Sequence, residues 1–423
     1  MERNFGQMKI SIIIPTHNRA ETLRNAIESI ISLNDNAEYE FVIVDNNSSD
    51  STKEVVESYY PLARYVFEGN TSFSKARSTG AENAAGDIFL YLDDDVLVRP
   101  GSLDELVRIF TVHGECGVVA GRIDPKFEGQ PPDWALNCQS SFNGWSLFNE
   151  STYSFIRASF QEVPSAAGPM MAIRREAYFK VKGFPPDTVG VESNSGQKLF
   201  NKLYIGPGDY GLCLKIKDAG YKIFYSNAAS VFHVIPPLRF SVRFWRSRMI
   251  GEGYHQVISE AEFFKPDTLS IVESTVLAKA KLFKLYRQLE RLIRNGSLTN
   301  CDGLSTQELW IHYYKAYLDM KIVLDKHPSL SNFLWTIGEN GVSDSEYDVT
   351  IDALPFEYKD LVSSEFIYFD KPVSTLSELQ YIVFGRGVYK IDLVGSLASR
   401  LPLSLLSGFF RIAKSINRRV DLL

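Results

Sequence analysis

The 423-residue sequence predicts an α/β protein. It reads as a Rossmann-like, mostly parallel sheet flanked by helices, followed by a mostly helical C-terminal extension. Three observations predict this. Short unbroken apolar runs, suited to strands buried on both faces, alternate with segments whose apolar residues recur at helical spacing. One run, Ile88–Leu92, passes directly into Asp93, Asp94 and Asp95. Beyond Pro236 the strand-like runs give way to long helical stripes.

In chain order, Ile10–Ile14 reads as a first strand stopped by Pro15, with Thr16, His17, Asn18 and Arg19 as a loop. Leu23, Ala26, Ile27 and Ile30 then mark a helix. Phe41–Val44 is a second strand ending at Asp45. Ser51 with Glu54 predicts a capping box for the next helix. Phe73 to Ala85 predicts a helix closed by Gly86. After the Ile88 strand, Pro100, Ser102 and Glu105 open a helix with Leu103, Leu106, Val107 and Phe110 on one face. Val118–Gly121 is a further strand. Gly129–Asp133 and Asn143–Thr152 read as loops among aromatics (Trp134, Phe142, Trp145, Phe148, Tyr153), rings that stack on sugars in some sites but more often fill loop cores. Ser165–Ile173 predicts a strand passing under the site, and Gly183–Asp187 a turn. Leu212, Ile216 and Ala219 form a helical stripe closed by Gly220. Tyr221–Tyr225 and Val231–His233 read as short strands.

Composition is that of a globular protein, 45% hydrophobic and 23% charged. The net charge of −6 argues against a general nucleic-acid binder. Residues 1–236 carry 22 Lys+Arg against 29 Asp+Glu, and residues 237–423 carry 23 against 22. Four scattered cysteines form no CxxC pair, so neither a disulfide framework nor a zinc site is indicated. Met1–Lys9 is polar, and no apolar run approaches the roughly 20 residues that span a bilayer. The expected location is cytoplasmic, including the inner face of a membrane.

Three adjacent carboxylates repel one another unless a positive charge joins them. Mg²⁺ and Mn²⁺ prefer oxygen ligands and bridge to phosphates, so Asp93–Asp95 suggests a divalent-cation site; the other reading is a solvated acidic turn. Asp209 falls at the start of a predicted helix, where a carboxylate caps the backbone and still has an oxygen to spare. His233 ends a strand; such a histidine is usually structural and can be a metal ligand. The fingerprint GxGxxG is absent after the first strand, where Pro15–Arg19 stands instead, which argues against a dehydrogenase.

Taken together, these pieces resemble the family 2 inverting glycosyltransferases of GT-A fold. The likeness runs from about Ile10 to His233. It is carried in order by Pro15-Thr16-His17-Asn18-Arg19, Asp45 with Asn46 to Asp50, Lys75 to Gly80, Gly86-Asp87 before Asp93–Asp95, Gly183-Phe184, and Asp209 with Leu212-Cys213-Leu214. The resemblance implies residues 1–236 as the nucleotide-sugar-binding and catalytic domain. In it, Pro15, Thr16 and Arg19 line the nucleotide pocket, and Asp45 accepts from the base beside Arg77. Asp93–Asp95 is the DxD element: Asp95 holds the Mn²⁺ or Mg²⁺, Asp94 faces the ribose and Asp93 supports. His233 completes the metal shell, and Asp209 is the general base. It implies transfer from a nucleotide-sugar, UDP-sugar favoured, to a glycan or lipid-linked glycan acceptor, as in polysaccharide biosynthesis. The chain departs from the family at Ser78 (commonly Asn), at Gly208 (commonly Glu) and at Gly211 (commonly Asp). A non-catalytic nucleotide-sugar or glycan binder and a nucleotidyltransferase are the competing classes; the latter would usually carry a Gly-rich basic loop where Pro15–Arg19 stands.

Residues 237–423 read as a mostly helical region for acceptor, oligomer or membrane contact. Arg239, Arg243, Arg246 and Arg248 cluster just after His233, suited to an anionic ligand or a solvated face. Val276–Arg294 reads as a long basic helix and Gly338–Asp370 as acidic, complementary to each other or to a second subunit. Leu397–Leu423 is amphipathic and basic, suited to a membrane surface or, more commonly, to packing on its own protein.

Overall fold

The computed structural model of the chain describes residues 8–69, 72–185, 189–192, 202–205, 208–263, 268–295 and 305–326, with Leu376 and Leu379. The acidic segment 338–370 and the amphipathic segment 397–423 lie outside the described residues. In chain order the elements are β1 (Ile10–Thr16), α1 (Ala20–Ile31), β2 (Tyr39–Asp45), α2 (Thr52–Glu57), β3 (Ala63–Phe67), α3 (Phe73–Glu82), β4 (Ile88–Leu92), β5 (Val96–Val98), α4 (Ser102–Val112), β6 (Cys116–Phe127), α5 (Asp133–Ser141), β7 (Phe160–Glu162), β8 (Met170–Arg174), α6 (Arg175–Lys180), β9 (Val189–Glu192), β10 (Lys202–Ile205), α7 (Gly208–Asp218), β11 (Lys222–Ile235), α8 (Val242–Phe263), α9 (Thr268–Arg294) and α10 (Thr306–Lys326). Two compact units divide them: Met1–Gln130 with Trp145–Asp187 and Gly206–Pro237, and Pro131–Gly144 with Thr188–Ile205 and Leu238–Leu423.

The first unit is a mixed α/β sheet of nine strands in the order β3-β2-β1-β4-β8-β6-β11-β5, with β7 added to β11. The β3-β2-β1-β4 half is parallel, as is β6 with β11; β8 runs antiparallel between β4 and β6. Ile88–Leu92 has no residue more than 1% exposed, as the apolar run requires of a strand covered on both faces. Leu23, Ala26, Ile27 and Ile30 of α1 are all buried, so the helical periodicity located the packed face correctly.

Several elements differ from their sequence reading. Pro15 does not stop β1, which runs on to Thr16; its pairing with β4 ends at Ile13, so Pro15 owes no ladder hydrogen bond on that side. The capping box at Ser51 does not form: Ser51 makes no side-chain cap, and Asp50 Oδ1 instead accepts from the Thr52 amide at 3.1 Å. Helix α3 ends at Glu82. Gly86 serves another purpose, since a Cβ there would lie 2.7 Å from both the Lys9 carbonyl oxygen and the Ser11 amide nitrogen. The two short strands after Tyr221 are one, β11, with a register shift between Ser226 and Ser230. Only Met170–Arg174 of the predicted Ser165–Ile173 strand is extended and paired. Trp145 and Phe148 are 1% and 2% exposed, which makes them core rather than a sugar platform.

In the second unit α8 and α10 cross closely at Gly253, where a Cβ would lie 2.5 Å from the Tyr313 carbonyl oxygen. Arg246 is fully buried and its Nε donates to Glu308 Oε1 at 2.9 Å, so this arginine of the basic cluster is a structural counter-ion. On α9, the half-basic face is anchored by Glu290, which accepts from Arg287 and Arg294 at 3.0 and 2.9 Å. Helix α5, unread in the sequence, carries only two buried residues, Ala135 and Cys138, too few for a periodic stripe.

Because Gly86 meets backbone atoms, Gly86→Ala should cost about 1–3 kcal/mol of stability. Urea unfolding checks this; an unchanged midpoint would show that the Lys9–Ser11 segment yields at no cost.

Candidate functional site

Parallel pairing sets the carboxyl ends of β1, β2 and β4 side by side, with Thr16 paired to Asp45. Open α/β sheets present their ligand sites along this edge. The residue following β4 is Asp93, and the acid triplet turns there into β5. Its side chains are 26%, 6% and 3% exposed for Asp93, Asp94 and Asp95. Thr16 Oγ1 donates to Asp94 Oδ2 at 2.7 Å. Arg19, just ahead of α1, forks across the pair: Nη1 lies 2.6 Å from Asp94 Oδ1 and Nη2 2.9 Å from Asp95 Oδ2. The loop reaches this position through Asn18, at φ 53°, whose side-chain oxygen accepts from the Ser49 amide at 2.7 Å.

Burial dominates the electrostatics. It pushes Asp94 up to about 7, with the charges of Asp95 and Asp93 adding to it against Arg19 and Thr16. Burial likewise raises Asp93, opposed chiefly by Arg77. Burial alone would lower Arg19, but Asp94 and Asp95 overcome it and hold the guanidinium firmly charged.

His233 and Asp95 are each 3% exposed, with Nε2 3.2 Å from Asp95 Oδ1. His233 Nδ1 faces the Trp145 carbonyl oxygen at 2.9 Å. A carbonyl only accepts, so Nδ1 carries the proton, and in the neutral ring Nε2 turns a lone pair toward a carboxylate oxygen. Two acceptors so placed call for a proton or a cation between them. A histidine whose other nitrogen donates to a backbone carbonyl is the usual arrangement of a metal ligand. The donor set of one imidazole and carboxylate oxygens therefore fits Mn²⁺ or Mg²⁺. Among the described residues no three His, Cys, Asp or Glu side chains converge as a complete metal-holding group, so further ligands would have to come from substrate or water. Asp95 also borders a cleft of about 600 Å³ lined by Thr22, Asn25, Ser29, Lys126 and Glu128.

Asp209 is the second residue of α7, inside its first turn rather than at the cap. Arg77, 3% exposed, donates from Nη1 to Asp209 Oδ1 and lies 3.6 Å from Asp93 Oδ1 through Nη2. The Phe73 ring covers this guanidinium at 3.9 Å. Arg77 thus ties Asp209 to the acid triplet, whereas the resemblance implies a place beside the base. Asp45 is 3% exposed; its Oδ1 accepts from the Ser48 amide at 2.8 Å and its Oδ2 from Tyr65 Oη at 2.7 Å. A carboxylate offers about four acceptor positions, so Asp45 retains capacity for one more donor. Pro15, the residue before Thr16, is buried in β1.

The sequence reading missed Tyr65, Phe73, the Trp145 carbonyl and Gly168, which lies against Arg77 and Asp209. Tyr65 belongs to β3, a five-residue strand with mixed burial that gives no run of apolar residues. Phe73 stands one helical turn before Arg77 on α3, and the Trp145 carbonyl and Gly168 act through proximity across the fold.

Fold and site together define an α/β domain that gathers an acid triplet, a histidine and a separate arginine-bound aspartate on one sheet edge. Residues 11–181 match the model of glycosyl transferase family 2, which identifies this segment as a glycosyltransferase domain of that family. The chain is 20% identical over 309 residues to the glucosyl-dolichyl phosphate glucuronosyltransferase of Haloferax volcanii, covering 70% of this chain and 91% of the relative. It is 27% identical over 202 residues to the GalNAc(5)-diNAcBac-PP-undecaprenol beta-1,3-glucosyltransferase of Campylobacter jejuni, covering 46% and 60% respectively. Other relatives are covered over smaller shares, such as 30% of the dolichol-phosphate mannosyltransferase of Pyrococcus furiosus, which is 33% identical over 104 residues and 24% of this chain.

The Asp94 shift makes stability depend on pH. An unfolded aspartate titrates near 3.8 and the folded one at about 7, so the folded chain holds the extra proton between them and loses stability as pH rises through that window. Asp94→Asn removes this component. In metal-free buffer its stability relative to the parent should therefore increase from pH 5 to pH 8 in urea unfolding. A constant difference would place folded Asp94 near its unfolded value.

Proposed function

We propose that the chain is a metal-dependent, inverting glycosyltransferase that moves a sugar from a nucleotide-sugar to a hydroxyl of a lipid-linked glycan. The observation that carries this reading is the pairing of His233 Nε2 with Asp95 at the end of β4, with Asp209 held apart on Arg77. The cation is Mn²⁺ or Mg²⁺, held by Asp95 and His233; when bound, it offsets negative charge gathering on the departing diphosphate.

The chain's own residues do the rest. Asp45, fixed by Ser48 and Tyr65, accepts from the base; a pyrimidine N–H suits it, so uridine donors are favoured. Thr16 fixes Asp94 for the ribose, and Asp93 is steadied by Arg77. Arg19 holds Asp94 and Asp95 together and has the charge to turn toward a diphosphate. Arg77 immobilises Oδ1 of Asp209, leaving Oδ2 to take the proton of the acceptor hydroxyl. Deprotonation opposite the leaving group gives in-line attack and inversion.

The lipid-linked acceptor is supported by the names of the Haloferax and Campylobacter relatives, which act on dolichyl phosphate-linked and undecaprenol diphosphate-linked sugars. No described helix is long and apolar enough to cross a membrane. The proposed access to a lipid-linked acceptor is peripheral contact through the segment 397–423, whose sequence is basic and amphipathic. Residues 237–423 are the proposed acceptor, membrane or self-association region.

A panel of UDP-, GDP-, dTDP- and CMP-linked sugars should raise the melting temperature for one nucleotide class, UDP foremost, and only with Mn²⁺ or Mg²⁺ present. No rise with any donor would overturn the nucleotide-sugar reading. Asp95→Ala should abolish the metal-dependent rise; an unchanged rise would remove Asp95 from the metal site. Asp209→Asn should keep the rise while lowering transfer by about 10²–10⁴-fold, the usual contribution of a positioned base. Normal transfer by that variant would exclude Asp209 as the base.

A further inference from the structure

Glycine 168 lies in the segment between β7 and β8, two residues before Met170 pairs with Leu92 at the end of β4. A Cβ at this position would stand 2.5 Å from Arg77 Nη2 and 2.5 Å from Asp209 Oδ2. The other close-packed glycines meet backbone or core atoms: Gly86 the Lys9 carbonyl, Gly117 the Ile216 and Tyr221 side chains, Gly121 the Met170 side chain. Gly168 meets the polar ends of two side chains that belong to the site.

We infer that Gly168 is a positioning residue, whose missing side chain provides the space in which Asp209 rests on Arg77 with its second oxygen accessible. The inference rests on Asp209 being the base. Asp209 Oδ1 is taken by Arg77, so the oxygen over Gly168 is the one that receives the acceptor proton. A methyl group at 168 presses on that oxygen and on the Arg77 nitrogen that faces Asp93. Arg77 is 3% exposed, between the Phe73 ring at 3.9 Å and the Phe184 ring at 5.1 Å, so it has little room to retreat. Asp209, at 28% side-chain exposure on the first turn of α7, is the freer partner and is the one displaced. A displacement of about 1 Å in a reacting group is worth on the order of 10²-fold in rate. Gly168 is not at a positive φ, so alanine brings no backbone strain of its own.

The test is a double-mutant cycle in transfer rate, with donor-induced thermal stabilisation followed in parallel on the full chain with Mn²⁺. Gly168→Ala should lower kcat by about 10²-fold, with donor KM and donor stabilisation unchanged. In the Asp209→Asn background, Gly168→Ala should have no further effect, because the group it displaces has already lost its function. Gly168→Ala with parental kcat, or effects of the two variants that multiply, would overturn the inference while leaving Asp209 in place. If Asp209→Asn alone transfers at the parental rate, the assignment of the base fails instead. Loss of donor stabilisation in Gly168→Ala would mean general damage to the site and would also overturn the positioning role.

Discussion

The site depends on placing three consecutive carboxylates at the buried end of a strand. β4 lies between β1 and β8 with both faces covered, so the chain leaves it without reaching open solvent. Taking a charge out of water costs several kcal/mol per ion unless partners replace the lost hydration. Those partners come from every neighbouring element: Thr16 from the end of β1, Arg19 from the start of α1, Arg77 from α3 and His233 from β11. The active edge is thus a set of counter-charges gathered around one turn. The raised Asp94 and Asp93 show that the compensation is incomplete. A site left short of positive charge at its centre is one that a divalent cation stabilises.

This arrangement gives Arg19 and Arg77 different tasks. Arg19 is about a third exposed and touches the two acids nearest the proposed cation, so it can exchange partners as charge enters the site. Arg77 is enclosed by aromatic rings and cannot. It acts as a fixed strut between Asp93, in the acid triplet, and Asp209, the proposed base. The distance between these two carboxylates is then set by one rigid guanidinium, whose planar geometry holds carboxylates more precisely than a lysine would.

Legibility from sequence followed the range of the interactions. Contiguous signals were sufficient for β4 and its acids, for the buried stripe of α1, and for the family motifs within residues 11–181. Signals shorter than a period were not: β5 has three residues, β3 alternates exposure, and α5 buries two side chains. The capping box failed because Asp50 reached the helix start first and also accepts from the Ala20 amide, a tertiary contact that local pattern does not contain. Among the site residues, identity was readable but pairing was not. Arg19 meets Asp95 across 76 positions and Arg77 meets Asp209 across 132. Those separations are not readable locally: the resemblance implies Arg77 beside the nucleobase and does not contain its contact with Asp209, and Gly168 carries no signal at all.

The departure from the family at Gly208 acquires a local explanation. Gly208 sits at φ 37°, in the left-handed region that a glutamate would occupy only with strain. Here α7 begins on that residue, so the chain enters the helix through a turn open to glycine, and Asp209 leaves it pointing at Arg77 and Gly168. Glycine at 208 relieves the backbone. The orientation of Asp209 is set in this chain by Arg77 from one side and by the open space at Gly168 from the other.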